Sequence, residues 1–136
     1  MSRSRKFNSF TVLVLFALLL GTAVSCSSNQ ELVGSWVITE TDDSAFAAGM
    51  IFEFREDKSL LITTGYADLD PEEKESFDAA YRDVSLTYRS SPDGTLNITM
   101  SIPQKGSLLI RMSYELTGDR LAVTDEDGLT LIFSRQ

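Results

Sequence analysis

The sequence predicts an all-β protein in which eight antiparallel strands form an up-and-down barrel, with one short helix inserted after the third strand. From Leu32 onward, apolar and polar residues alternate with a period of two in eight stretches, which is the pattern of strands with one buried and one hydrated face. Short segments containing Gly, Asp, Ser or Pro separate most of these stretches, as hairpin turns require. One intervening segment has a helical period instead.

Each strand is predicted from its own alternation. In chain order the strands are WVITE (36–40), MIFEF (50–54), LLITTGY (60–66), VSLTY (84–88), LNITMSI (96–102), LLIRMSYEL (108–116), LAV (121–123) and LTLIF (129–133). On the sixth strand, strict alternation places Leu108 and Ile110 on the inner face and Leu109 on the outer face. Eight such strands can close into a small barrel, and closure removes the exposed edges of the sheet.

The helix is predicted by its capping residues and by an apolar stripe. Asp70 is the expected N-cap, Pro71 follows at the first helical position, and Glu73 completes a capping box. The stripe consists of Phe77, Ala80, Tyr81 and Val84. Its spacing of i, i+3, i+4 and i+7 buries one side of a helix of about three turns. Two roles remain open for this helix: a cap packed on one end of the barrel, or a lid over its mouth.

Residues 1–25 have the pattern of a secretory signal peptide. Arg3, Arg5 and Lys6 precede an uncharged apolar run at 10–20, and small residues follow it. The run is shorter than the roughly 20 residues that a membrane span needs. Residues 26–31 are then predicted to form a polar tether, and residues 32–136 the barrel domain.

Cys26 is the only cysteine in the chain and therefore has no partner for an internal disulfide. The motif AVSC at 23–26 resembles the lipobox of bacterial lipoproteins, in which cleavage precedes the cysteine and its thiol carries diacylglycerol. The resemblance implies that Cys26 is lipidated, with fatty acyl chains such as palmitate, and anchors the protein in the membrane of a bacterial cell envelope. Ser27, by resemblance to enteric sorting, favours the outer over the inner membrane. The alternative is ordinary cleavage after Ser25, which releases a soluble protein.

A second resemblance concerns the first and last strands. Gly34, Ser35 and Trp36 form a Gly-x-Trp motif, and Arg135 lies near the end of the last strand. This combination resembles the lipocalin-like, or calycin, barrels, and the longer sequence is similar to small lipocalin-like lipoproteins of Bacteroidetes. The resemblance implies that Arg135 packs across Trp36, where a cation–π contact contributes about 0.5–2 kcal/mol. It implies no ligand class, because function belongs to sites grafted on folds.

Charge and composition exclude several classes of function. The chain has 12 basic and 20 acidic residues, and loss of residues 1–25 would change its net charge from −8 to −11. Such a surface repels phosphate backbones, so we expect no nucleic-acid partner. The chain has no histidine, the usual general base, and no nucleophile elbow or phosphate-binding loop. We therefore expect no enzymatic activity and no cofactor. The acidic clusters at 42–43, 56–57 and 125–127 lack EF-hand spacing, so no metal site is predicted.

Two functions remain open for a lipid-anchored barrel. In the first, it binds a small apolar or amphipathic ligand inside. The candidate lining residues are Phe52, Phe54, Leu86, Tyr88, Met100, Ile110, Met112 and Tyr114. In the second, these side chains fill the barrel, and the lipoprotein has a structural role or binds another envelope protein. The second function would be favoured if the outward-facing Leu61, Leu109 and Ile132 formed one apolar patch.

Overall fold

The computed structural model describes residues 28–136. The elements are α1 (Ser28–Leu32), β1 (Gly34–Thr41), β2 (Ile51–Phe54), β3 (Leu60–Thr63), α2 (Pro71–Tyr81), β4 (Ser85–Ser90), β5 (Thr95–Ile102), β6 (Gly106–Thr117), β7 (Arg120–Thr124) and β8 (Thr130–Arg135). The predicted signal peptide and the lipidation site Cys26 lie outside the described residues. Within residues 28–136, no helix is both long enough and apolar enough to cross a membrane.

The eight strands form one antiparallel sheet in the order β3-β2-β1-β8-β7-β6-β5-β4. β1 pairs with both β2 and β8, so the first and last strands are neighbours. The two outermost strands of this order also approach each other. Ser59 forms a β-bridge with Thr87, and the Tyr88 N–H donates to the Lys58 carbonyl at 2.9 Å. The sheet is therefore a nearly closed up-and-down barrel with a helix after its third strand, which confirms the predicted fold class.

The barrel has two unlike ends, set by the direction of its strands. α1, the start of β1, the end of β8 and the turns β2–β3, β4–β5 and β6–β7 lie at one end. We call it the closed end, because Leu32 from α1 is fully buried in the core there. The β1–β2 loop, α2, the β5–β6 hairpin turn and the β7–β8 turn lie at the other, the open end.

α1 forms a helical turn that overlaps the predicted polar tether at 26–31 and ends at Leu32, the first residue of the expected barrel domain. Its first four residues are polar, and only the fifth, Leu32, is apolar. Burial of that single side chain fixes the turn against the core, because removing a leucine side chain from water stabilises the fold by about 1.5–3 kcal/mol. Within the described residues, helical structure is therefore already present ahead of β1.

α2 has the predicted capping box. The Glu73 N–H donates to Asp70 Oδ1 at 2.8 Å, and the Asp70 N–H donates to Glu73 Oε2 at 3.2 Å. The apolar stripe is only partly buried: Phe77 and Tyr81 pack against the core, whereas Ala80 is exposed. No residue of α2 is fully buried, because the helix contacts the barrel along one edge only. α2 is thus attached to the barrel by few apolar contacts.

Strand alternation predicts the inner faces of most strands correctly, with two exceptions. Leu129 was expected to face inward from the start of the last strand, but it lies just before β8 and is 38% exposed. Leu108 was expected on the inner face, yet its side chain is 59% exposed. It pairs with Met100 near the tip of the β5–β6 hairpin. On the other side of β6, pairing with β7 starts only at Ser113, so no strand flanks Leu108 there. The β5–β6 hairpin therefore projects beyond the open end of the barrel, and a side chain there can point inward and still be exposed.

Candidate functional site at the open end of the barrel

An apolar cavity of about 50 Å³ lies inside the barrel toward the open end. Its lining residues are Phe46, Phe52, Ile62, Tyr81, Leu86, Ile98, Met100, Ile110, Met112 and Leu131. The strands supply most of this lining, while the β1–β2 loop supplies Phe46 and α2 supplies Tyr81. The site is therefore a space between a rigid barrel wall and two elements that cover it.

Five of the eight predicted lining residues meet at this cavity. They are Phe52, Leu86, Met100, Ile110 and Met112. Phe52 and Leu86 are fully buried, whereas Met100, Ile110 and Met112 are half-buried and pack on the edge of the core. Methionine side chains are flexible and polarisable, so this part of the lining can adapt to different shapes.

The other three predicted residues, Phe54, Tyr88 and Tyr114, are not brought to the cavity. Phe54 and Tyr88 pack edge to face with ring centroids 4.9 Å apart. The Tyr88 hydroxyl donates to the Arg55 carbonyl at 2.8 Å, and the Tyr114 hydroxyl donates to the Ser91 carbonyl at 3.2 Å. These carbonyls belong to turns of the closed end, so Tyr88 and Tyr114 connect the core to those turns, and Phe54 packs beside Tyr88.

The predicted set omitted five lining residues: Ile62, Ile98 and Leu131 from the strands, and Phe46 and Tyr81 from the elements that cover the cavity. Tyr81 was assigned to the apolar stripe of the helix, but not to a binding site. Phe46 lies in the loop between two strands and follows no periodic pattern. The signal that could have found it is a large aromatic residue in a loop of otherwise small and acidic residues. Its ring packs edge to face on Phe52, with centroids 5.4 Å apart.

A second, wider space adjoins the cavity on its outer side. This outer groove, of about 640 Å³, lies between the β1–β2 loop and the first half of α2. Its lining combines the apolar Phe46, Ala47, Met50, Leu69 and Phe77 with Ala45, the hydroxyl residues Ser44 and Ser76, and the carboxylates Asp70, Glu72 and Glu73. The groove is therefore amphipathic and acidic.

Three aromatic side chains separate the outer groove from the inner cavity, and we call them the aromatic wall: Phe46, Phe77 and Tyr81. Phe46 lines both spaces, Phe77 lines the groove, and Tyr81 lines the cavity. Phe77 and Tyr81 are stacked with centroids 4.6 Å apart. All three are half-buried, so they are held by fewer contacts than the fully buried core residues.

The aromatic wall also has a distinct electrostatic environment. Burial raises the pKa of Tyr81 above its ordinary value of 10.0, and the neighbouring Asp43 carboxylate raises it further. Tyr81 therefore stays a neutral phenol at physiological pH. It presents an uncharged ring to the cavity, beside an acidic loop.

The closed end shows the contact that the Gly-x-Trp resemblance implied. The guanidinium carbon of Arg135 lies 4.2 Å from the centroid of the Trp36 ring. The Trp36 indole N–H donates to the Leu32 carbonyl at 2.9 Å. Gly34 has φ +134°, and a Cβ atom there would lie 3.1 Å from Arg135 Nη1, so glycine permits both the backbone conformation and the close approach.

Arg135 also joins the closed end to α1. Its Nη2 donates to the Glu31 carbonyl at 2.9 Å and its Nη1 to the Val33 carbonyl at 3.2 Å. Its Nε lies 3.4 Å from Asp119 Oδ1, although that exposed ion pair adds little to stability. The three residues Gly34, Trp36 and Arg135 thus stabilise the closed end and lie away from the cavity.

The acidic clusters form turns. Asp125 Oδ1 accepts from the N–H groups of Asp127 and Leu129, both at 2.9 Å. Asp57 Oδ1 accepts from the Ser59 hydroxyl at 2.6 Å and from its N–H at 2.9 Å, and these hydrogen bonds lower the pKa of Asp57. Throughout residues 28–136, no group of three or more potential metal ligands is placed to hold an ion.

The outward-facing Leu61, Leu109 and Ile132 do not form one patch. They lie on β3, β6 and β8, which are separated by intervening strands in the sheet order. Leu61 and Leu109 are exposed and Ile132 is half-buried. Single exposed apolar residues are ordinary on a soluble surface, so this observation removes the main support for an outer-face binding site.

No protein-family model matches this chain, and no curated protein matches it at a significant level.

Proposed function

We propose that this chain is a lipid-anchored envelope lipoprotein of lipocalin-like type, whose barrel binds a small apolar or amphipathic ligand at the open end. The observation that carries the ligand proposal is the apolar cavity beneath the aromatic wall. The cavity is covered by Phe46 from a loop and Tyr81 from a helix, and both side chains are half-buried. A concave apolar site with a few polar groups at its entrance is the usual form of a small-molecule site.

The size of the cavity requires the aromatic wall to move on binding. A volume of about 50 Å³ is below the roughly 300–1,000 Å³ of typical ligand sites. The outer groove supplies about 640 Å³ directly outside, and displacement of Phe46 or Tyr81 would join the two. α2 has no fully buried residue, so its displacement costs less than opening of the strand core.

Lipidation of Cys26 would give the barrel a definite orientation relative to the membrane. Ser28, the first described residue, lies at the closed end, only two positions after Cys26 in the sequence. A lipidated Cys26 would therefore hold the closed end near the membrane and leave the open end facing away from it. Two or more acyl chains would make this attachment stable. In this arrangement a ligand enters from the aqueous side.

The second candidate function is a lipoprotein with a filled barrel that contacts another envelope protein. The small volume of the cavity favours it, together with the exposed β5–β6 hairpin. Leu108 and Leu109 at that hairpin are 59% and 62% exposed. Adjacent residues on a strand point to opposite faces, however, so the two leucines do not form one contact surface.

Native mass spectrometry of the full chain, extracted gently from its own membrane, tests both parts of the proposal. The denatured mass should match residues 26–136 carrying diacylglycerol and an acyl chain. The native mass should contain an additional small molecule that is lost on denaturation. The matched control is Cys26→Ser, which should lose the lipid mass and retain the barrel.

The two parts can fail separately. An unmodified denatured mass would refute the anchor and leave the ligand proposal standing. A native mass equal to the denatured mass, together with no uptake of an added neutral apolar dye, would refute the ligand proposal and favour the filled barrel.

A further inference from the structure

We infer that the ligand of this site has an apolar body and a neutral or cationic polar group, and that anionic amphiphiles such as carboxylates are excluded. The inference rests on the proposed function, since it specifies the ligand of the same site. The apolar body occupies the cavity beneath the aromatic wall, and the polar group lies in the outer groove. The charge of that groove decides which polar group is accepted.

The outer groove carries carboxylates and no compensating positive charge. Three of its lining residues, Asp70, Glu72 and Glu73, are acidic, and among its described lining residues none is basic. Asp43 lies close enough to Tyr81 to raise the pKa of that phenol, so a fourth carboxylate acts on the wall itself. A carboxylate or phosphate brought into this groove would face like charges, while an ammonium group would be attracted.

The helix N-terminus at the groove does not offset this repulsion. A helix start normally offers free N–H groups and a positive dipole end to an anion. Here Pro71 has no N–H, and the Glu73 N–H already donates to Asp70 Oδ1 at 2.8 Å. The Lys74 N–H donates to the Asp70 carbonyl at 3.0 Å. The capping box thus occupies the N–H groups of Asp70 and Glu73 with the chain's own carboxylates.

The cavity itself cannot hold a charged group. Its lining has one hydroxyl-bearing residue, Tyr81, and nine apolar residues. Because an ion in such surroundings loses its hydration without a compensating partner, any charge on the ligand must remain in the groove. The two spaces together therefore select an amphiphile that enters with its apolar end first.

Competition binding with three amphiphiles of equal chain length tests this inference. Decanol, decylamine and decanoate each contain ten carbons and carry a neutral, a cationic and an anionic group at neutral pH. The barrel can be titrated as residues 28–136, because all eight strands and the whole described core lie in that segment. We expect decylamine to bind most tightly, decanol less tightly and decanoate most weakly. Added salt should weaken the binding of decylamine only.

A charge reversal with a matched control locates the effect in the groove. Glu72→Lys changes a lining carboxylate that takes no part in the capping box. This substitution should lower the affinity for decylamine about fivefold and raise the affinity for decanoate by a similar factor. The affinity for decanol should change by less than about twofold. Glu75→Lys lies on the same helix outside the groove lining, and should change none of the three affinities by more than about twofold. Circular dichroism of both variants checks that α2 is retained.

The outcomes separate this inference from the function on which it rests. If decanol binds and decanoate binds as tightly as decylamine, the headgroup inference is overturned and the ligand site stands. An equal response of Glu72→Lys and Glu75→Lys would also overturn it, because the effect would then come from net charge alone. If none of the three binds, the proposed ligand site is refuted, and the inference is refuted with it.

Discussion

The closed and open ends of this barrel both contain aromatic side chains, but these side chains differ in burial and in hydrogen bonding. At the closed end, Trp36 is fully buried, its indole N–H is bonded to the Leu32 carbonyl, and Arg135 covers its ring. At the open end, Phe46, Phe77 and Tyr81 form a wall of half-buried rings around a cavity. At the closed end the aromatic ring is completely buried and its polar group is hydrogen-bonded, whereas the rings of the aromatic wall at the open end are only half-buried.

This difference shows how one small core can provide both stability and a site. The free energy of unfolding comes mainly from fully buried apolar side chains. In this barrel they include Leu32 in α1 and Phe133 in β8. Regions with few buried contacts open locally at lower free energy than the whole domain. The open end is such a region, and four sets of substitutions test the contrast.

The largest contrast is expected from the same substitution at the two ends. Leu32→Ala removes a fully buried side chain and should lower the free energy of unfolding by about 2–5 kcal/mol. Leu108→Ala removes a leucine that is 59% exposed, and should change it by less than about 0.5 kcal/mol. Urea unfolding followed by circular dichroism measures both. Equal losses would mean that α1 does not close the barrel.

Arg135→Ala should lower the free energy of unfolding by about 2 kcal/mol, because it removes the cation–π contact and two hydrogen bonds to carbonyls. Arg135→Lys keeps the charge but loses the planar group that bonds both carbonyls, so it should recover less than half of that loss. Thermal unfolding of the two variants is the measurement, with the exposed Arg89→Ala as control. Full recovery with lysine would contradict the assigned geometry.

Phe46→Ala should lower the free energy of unfolding by about 1–2 kcal/mol. This is less than the loss at a fully buried phenylalanine, since the Phe46 ring is half-buried. Removal of this part of the aromatic wall joins the cavity to the outer groove, so a neutral apolar dye should associate faster and with higher affinity. Stopped-flow fluorescence measures the rate, and Leu61→Ala on the outer face is the control. Slower or weaker binding would show that Phe46 contacts the ligand and does not obstruct it.

The smallest effect concerns alkaline pH. Burial raises the pKa of Tyr88 above 10.0, and the carboxylates of Asp57 and Glu56 raise it further. A raised pKa in the folded state means that this contribution to stability is complete below pH 10.0 and is lost as the pH rises through the raised value. Tyr88→Phe should cost about 1 kcal/mol at neutral pH through the lost bond to the Arg55 carbonyl.

The difference between the unmodified protein and Tyr88→Phe should therefore shrink above pH 10.0, as judged from urea midpoints. Tyr81→Phe provides the comparison at the open end, where burial and then Asp43 raise the pKa of that tyrosine. A difference that stays constant with pH would show that the phenol of Tyr88 is not stabilised in its neutral form.

Much of the fold could be predicted because its signals are local. Alternation along each strand, turn residues between strands and the capping box of α2 all act within a few neighbouring residues. α1 was missed as a helix because its four polar residues give no periodic signal. Its turn is fixed by the distant contacts of Leu32 and by the Arg135 hydrogen bond to the Glu31 carbonyl.

The candidate site was only half predictable for a related reason. Alternation identifies which side chains face inward, and it correctly selected Phe52, Leu86 and Met100. It does not report the position of a residue along the barrel axis, so Tyr88 and Tyr114 at the closed end were grouped with the lining of the cavity. Phe46 depends on the path of a loop, for which no periodic rule exists.

By itself the sequence determined the all-β class, the number of strands, the inserted helix and the residues that face inward, because each follows from a repeat of two or 3.6 residues. The tertiary structure decided which end is closed, where a cavity remains and which carboxylates border it. Those properties depend on strand tilt, on the level at which each hairpin ends and on contacts between segments far apart in the chain. Short-range pattern fixes the face of a side chain, and only three-dimensional packing fixes its neighbours.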